Sequence, residues 1–388
     1  MSTTADFGDF VLSTTKAYLR GPRVVIREAV EQTYLFGDLM VGAGMRDLLQ
    51  GGAKISDSLT LEDPGTAKLY GAGDDVFEWD NPQNLVEWNI DWRFALTHFS
   101  WTDHERMLQG AGDMTQRARF MKFKDVYDNK VGQAYLSLYN LLEALLWAEP
   151  LISSMETASG LSPYSIPAFV NEDTNGLFAR NGTTWTTVEG IAPATHARWV
   201  PAQDTYDNFT GGSAVNVLTG FDRLCLELNY RPFRGGKDYF ERSMRDRKMI
   251  CCSKNGYSKA TATMRAEQDL YVGSNRQDPF YDAPMHNGVP LVYVSTLDSA
   301  TLYDDGSSDN TTEALANITG PRYYFLDAKY MRPVFHRDRF IKQHSVKEHP
   351  NQPFTKVVPI DVWYNMPCRS RQRLGILSPS TDLQGATS

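Results

Sequence analysis

A chain of 388 residues with 41% hydrophobic and 22% charged residues can bury a large core, which excludes a peptide or a disordered tail. Aromatic residues reach 12%, with 8 Trp, 19 Tyr and 19 Phe beside 29 Gly and 19 Pro, and this mixture favours sheet and loop over a helical bundle. A net charge of −8 argues against a non-specific polyphosphate binder, and four cysteines (Cys225, Cys251, Cys252, Cys368) are too few for a disulfide scaffold and lack metal-cage spacing.

The opening MSTTADFGDF has neither a basic nor an apolar leader region. Apolar runs such as Leu141–Trp147 fall far short of the roughly 20 residues that cross a bilayer. The expectation is a soluble product made inside the cell. Residues 1–22 are polar and end at Gly21-Pro22. Residues 24–40 mix apolar and charged side chains at spacings that suit one short helix, which the glycines at 42, 44, 51 and 52 stop.

Two strand signals follow. Ile55, Leu59 and Leu61 alternate with polar residues. A second run, Val86, Trp88, Ile90, Trp92, Phe94 and Leu96, alternates with Glu87, Asn89, Asp91 and Arg93. The connection between them is rich in Gly, Pro and Asp and long for a hairpin. Residues 53–99 therefore read as a protruding two-stranded arm or as an edge hairpin with a loose tip. Thr102 with Glu105 fits a capping box. The stripe Phe120, Phe123, Tyr127, Val131, Ala134, Leu138, Leu141 and Leu145 predicts a long amphipathic helix that Pro150 ends.

Residues 151–215 are dense in Gly, Asn, Thr and Pro. Beyond them an alternation of strands and helices is expected: Leu224–Tyr230 as strand or helix end, Lys248–Ser253 as a buried strand, Tyr257–Gln268 as a helix and Val289–Val294 as a strand. Strands at Tyr323–Leu326, at Met331–Phe335 and along Val358–Cys368 follow. Residues 321–388 hold 11 Lys and Arg against 5 Asp and Glu, a basic segment on an otherwise acidic chain. Such asymmetry either attracts another segment or another copy, or is a mixed solvated surface.

Chemistry-bearing constellations are weak. His336, His344 and His349 could in principle hold a metal for a hydrolase, but their spacing fits no one helical face and four nearby cations oppose it. His336-Arg337-Asp338 matches part of a kinase loop without its companions. Asp103-His104-Glu105 reads as a helix start. Cys251 and Cys252 read as small buried residues rather than a redox pair. Arg369, Arg371 and Arg373 could meet phosphate, or serve as a solvated rim or ion-pair partners. No catalytic residue, metal or cofactor is assigned.

The order of parts, together with LVEWNIDWRFALTHFSWTDHE (85–105), SPYSIPAFVNEDTNGLF (162–178), GPRYYFLDAKYMRPVFH (320–336) and HPNQPFTKVVPIDVWYNMPCRSRQRLG (349–375), resembles the major capsid proteins of tailed bacteriophages. The resemblance covers nearly the whole chain and implies the α+β HK97-type capsid fold. Its parts would be an N-terminal arm at 1–52, an extended two-stranded E-loop at 53–101, a spine helix at 102–150, an A-domain with loop insertions at 151–320, and C-terminal P-domain strands at 321–388.

It further implies a non-enzymatic viral structural protein of the virion, made in the host cytoplasm. This subunit would self-assemble into hexamers and pentamers of an icosahedral shell around double-stranded DNA, held by weak non-specific contact. Portal and separate scaffolding proteins are the implied partners, because about 50 residues before the E-loop are too few for a fused scaffold; decoration proteins are left open, and no membrane is involved. Asp74, Asp75, Trp79, Trp88, Trp92, Arg369, Arg371 and Arg373 are the expected contacts between copies. Lys54 and Lys68 lie in the E-loop, but nothing in the sequence marks a cross-link. An encapsulin-like nanocompartment shell is the alternative of the same fold, and the His336/His344/His349 hydrolase the alternative of another class.

Overall fold

The computed structural model describes residues 46–61, 85–108, 116–148, 150, 155–157, 160–171, 177, 179–180, 183–209, 215–228, 248–268, 284–287, 289–298, 321–349 and 351–380. The segment read as an N-terminal helix and the arm tip lie outside these residues.

In chain order the elements begin with strands β1 (Asp47–Leu49), β2 (Lys54–Thr60), β3 (Leu85–Asp91) and β4 (Arg93–Thr102), then helices α1 (Asp103–Leu108) and α2 (Gln116–Leu146). Next come α3 (Ile166–Phe169), β5 (Ala179–Arg180), β6 (Thr183–Thr184), β7 (Ala202–Tyr206), α4 (Val217–Glu227), β8 (Lys248–Cys252) and α5 (Lys254–Gln268). The last are β9 (Met285–His286), β10 (Val289–Tyr293), β11 (Tyr323–Asp327), β12 (Val334–His336), β13 (Lys342–Gln343), β14 (Lys347–His349), β15 (Gln352–Asn365) and β16 (Gly375–Pro379). They fall into two compact units. The first draws on segments within 1–51, 93–144 and 335–364, the second on segments within 52–92, 145–334 and 365–388.

The first unit is a sheet built around β15. β4 runs antiparallel to it, from Arg93 opposite Tyr364 to Thr102 opposite Thr355, while β12, β13 and β14 also pair with β15 and β1 extends from β12. The alternation of β15 buries Val358, Ile360 and Val362 on one face, with Ala95 and Phe99 of β4 beside them. Helix α2 covers this face. Its Tyr127 ring meets Phe99 at 5.2 Å and Trp101 at 5.6 Å, both edge-on, and its hydroxyl accepts from Gln343 at 3.0 Å.

The capping box forms as its sequence demands. The Glu105 amide donates to Thr102 Oγ1 at 3.1 Å, and the Thr102 amide donates to Glu105 Oε2 at 3.2 Å. Lys130 of α2 joins the same carboxylate at 2.8 Å and donates to Ser100 O at 2.9 Å, tying the helix to the strand. One register correction applies to α2. Its buried apolar side chains, among the described residues, are Ala134, Leu138, Leu142 and Leu146, whereas Leu141, assigned to the stripe, is 44% exposed. Over this stretch the core face follows a step of four rather than the mixed three-and-four step assumed, so Leu142 takes the place expected for Leu141.

The second unit has a full core of its own, more than its loop-rich sequence suggested. Its mixed sheet has the order β7-β16-β11-β8-β10-β9, with β8 parallel to β10, β7 parallel to β16, and β11 antiparallel to both β8 and β16. Helices α4 and α5 contribute Phe221, Leu224, Cys225, Ala260 and Met264 to a cluster with Tyr206, Ile250, Tyr323, Phe325 and Leu377. Leu224–Glu227 closes α4, so this part of the ambiguous stretch is a helix end. Asn216 caps α4 by accepting the Thr219 amide at 2.7 Å. Gly220 lets α4 approach β16, since a Cβ there would come within 2.7 Å of Leu377 Cδ1. All four cysteines are buried, and burial pushes the Cys252 thiol up to about 12, so these thiols are packing groups.

Candidate assembly surface

The run from Val86 to Leu96 keeps one apolar phase in sequence, but the fold does not keep one buried face. Trp88, Ile90 and Trp92 are buried at 2%, 2% and 7%; then Arg93 and Ala95 turn inward, and Phe94 and Leu96 are each 63% exposed. The phase reverses at Trp92-Arg93, where the chain passes from the second unit to the first. A one-residue change of this kind moves every later side chain to the opposite face.

The result is an apolar strip on the open side of the first unit's sheet. Phe94 stands opposite Trp363, and Leu96 opposite Asp361. Cations surround the strip. The Arg339 guanidinium lies 5.3 Å from the Trp363 ring centroid, and the His336 ring packs edge-on at 5.3 Å. Lys342 stands opposite Asp361 and Lys347 opposite Val357. Asp361 is matched within the face, by Arg339 at 3.0 Å and His344 at 2.9 Å. Exposed aromatic and aliphatic side chains with a cationic surround suit an acidic, apolar partner surface.

The residues singled out in the sequence are scattered by the fold. Asp74, Asp75 and Trp79 lie outside the described residues. Strands β2 and β3 pair antiparallel from Lys54–Asp91 to Thr60–Leu85, with an ion pair from Lys54 to Asp91 at 3.5 Å. Trp88 and Trp92, read as contacts between copies, are packed inside their own chain, and Trp92 Nε1 donates to Gly52 O at 3.0 Å. Arg369 is partly exposed and sits 3.9 Å from Asp57.

Arg371 is wholly buried. Its Nε and Nη2 donate to Phe169 O at 3.0 and 2.9 Å, and its Nη1 donates to Trp199 O at 2.9 Å. Burial pushes its guanidinium down to about 10. This arginine pins backbone rather than standing on a rim. Arg373 donates to Leu228 O at 3.0 Å and borders a cavity of about 330 Å³ shared with Glu227 and Gln372.

The three histidines do not converge. His344 pairs with Asp361, while His336 Nδ1 accepts the Asp338 amide and His349 Nδ1 accepts the Asn351 amide, each at 3.2 Å. The described residues hold no group of three or more His, Cys, Asp or Glu that could bind a metal, and among them no helix is long and apolar enough to cross a membrane. Two residues that sequence reasoning missed stand out: Glu189 is fully buried and Glu156 is half-buried. Neither lies in a motif, and nothing local in the sequence signals their burial.

No family model and no curated protein matches the chain. Among solved structures it is similar to a chain of the cyanophage A-1(L) capsid asymmetric unit, over 95% of each chain, with a TM-score of 0.53 at 12% identity. Weaker similarities are to the capsid of a native GTA particle, at a TM-score of 0.49 and 9% identity over 94% and 92% of the two chains, and to a virus-like particle from Pyrococcus furiosus, at 0.39 and 8% over 92% and 96%. The described residues have an α+β fold like that of the cyanophage capsid chain.

Proposed function

We propose that this protein is the major capsid subunit of a tailed bacteriophage, a structural protein that assembles with copies of itself into hexamers and pentamers of an icosahedral shell around double-stranded DNA. The observation that carries this reading is the fold match to a phage capsid chain over 95% of both chains. The apolar strip of Phe94, Leu96 and Trp363 supports it, because a subunit destined for a shell keeps apolar surface for its neighbours.

The E-loop tip is the contact we assign to that strip. Residues 62–84 hold six acids (Glu62, Asp63, Asp74, Asp75, Glu78, Asp80) against Lys68, together with Tyr70, Phe77 and Trp79. This composition complements a cationic, aromatic face on a neighbouring copy. A portal and a separate scaffolding protein complete the proposed partners, and the virion is the proposed location, reached from the host cytoplasm.

Nuclease digestion of particles recovered from producing cells tests the reading. Protected double-stranded DNA of uniform length is expected. Particles that instead enclose a protein cargo and no DNA would establish the nanocompartment.

A further inference from the structure

Two side chains and one backbone amide in 365–371 hold loops of the second unit. Asn365 Oδ1 accepts the Tyr164 amide at 3.0 Å, the Cys368 amide donates to Glu189 Oε1 at 2.9 Å, and Arg371 clamps the Phe169 and Trp199 carbonyls. The middle attachment is unusual. Glu189 and Gly190 are the centre of a two-residue hairpin turn, with paired hydrogen bonds between Val188 and Ile191 and φ values of 57° and 77°. Asn, Asp or Gly normally fill the first of these positions. A glutamate held there in left-handed conformation is a strained choice that its carboxyl must justify.

That carboxyl is fully buried, and among the described residues its Oε2 has no hydrogen-bond partner. A buried oxygen with no donor favours the neutral acid. Two residues earlier on the same hairpin, the Thr187 hydroxyl donates to Glu156 at 3.3 Å. The hairpin thus carries one carboxyl and holds a second.

We propose that Glu156 and Glu189 form a proton-binding site through which solution pH sets how firmly the 188–191 hairpin is held on the 365–371 strap. Among the described residues, the groups that face Glu189 are the Cys368 amide, the Arg371 charge and Glu156, and those that face Glu156 are Thr187 and Tyr164. Burial outweighs the favourable partners in both cases. It keeps Glu189 well above the usual carboxylate range and raises Glu156 from 4.5 to about 7. The folded form therefore binds more protons than the unfolded form between those values. The attachment is firmest at lower pH and weakens as pH rises through about 7. The proton comes from water and returns to it, with no other reactant.

Two measurements on the full-length protein test this site. In pH-difference infrared spectra, a protonated carboxyl band is expected to titrate near neutral pH in the wild type and to vanish in Glu156→Gln. In hydrogen exchange, peptides spanning 185–191 and 365–371 are expected to show a local opening constant that rises by up to about tenfold per pH unit across the titration, beyond the rate of a free amide. In Glu156→Gln the rise is lost. Glu189→Gln, which preserves a neutral acceptor for the Cys368 amide, keeps wild-type protection below neutral pH. Thr187→Val removes a donor to the charged form of Glu156 and moves the midpoint upward. Absence of a carboxyl titrating near neutrality, or an unchanged pH dependence in Glu156→Gln, overturns the proposal.

Discussion

Phe94 stands directly across the β4–β15 pair from Trp363, with ring centroids 4.8 Å apart and planes at 76°, on the open face of the first unit's sheet. An edge-on aromatic pair flanked by arginine and histidine gains little from facing water and much from being covered. Replacing Phe94 and Leu96 by Ser should cost the subunit no more than about 1–2 kcal/mol, the worth of the edge-on pair with Trp363 and one more cross-strand contact, because both side chains are already largely exposed. Assembly should suffer more, since burying side chains of this size is worth about 1.5–3 kcal/mol each. Denaturant melts of the dissociated subunit and sedimentation of assembly reactions separate the two effects.

The face of α2 that meets the core is set by the step of four. Leu138→Ala should destabilise the subunit by about 2–5 kcal/mol, and Leu138→Asp should prevent folding. Leu141→Asp should be tolerated, because Leu141 is 44% exposed. Soluble expression and urea midpoints of the three variants check the register.

At the start of α1, Thr102→Ala removes a reciprocal cap and should cost about 1 kcal/mol. The cost should be non-additive with Lys130→Met, because both changes act on Glu105. A double-mutant cycle by chemical denaturation reads this coupling.

Arg371 and Arg369 should behave very differently, although two positions separate them. Arg371→Met leaves the Phe169 and Trp199 carbonyls buried without their donor and should cost about 2–6 kcal/mol. Arg369→Ala, at a long and exposed pair with Asp57, should change stability by less than about 0.5 kcal/mol. Thermal unfolding of the two variants distinguishes a buried clamp from a surface charge.

Local signals in the sequence carried the elements that depend on local physics. Thr102 and Glu105 lie three residues apart and cap each other, so their spacing alone revealed the helix start. The KMICC run is apolar enough to be a central strand wherever it lies, and Lys248–Cys252 is one. The alternation from Val86 to Leu96 marked strands but did not show that the buried face changes at Trp92-Arg93. The reversal at Trp92-Arg93 depends on which sheet each half joins, and periodicity does not report that. The same limit hid the site residues. Arg371 meets Phe169 and Trp199 some two hundred and a hundred and seventy positions away, and Glu189 meets Cys368 at similar range. An arginine in a basic run and a glutamate in a polar loop look solvated until the chain is folded.

Removing Asp63–Pro82 should leave both units folded, as judged by circular dichroism and cooperative melting, while abolishing closed particles. Normal particles from that deletion would separate the Phe94–Trp363 face from the segment assigned to cover it.

Electron microscopy of the purified full-length protein, alone and with a co-expressed scaffolding protein, tests the central claim most directly. Closed shells or capsomers of uniform size are the predicted result. A protein that stays monomeric under every condition, with and without scaffold, would contradict it.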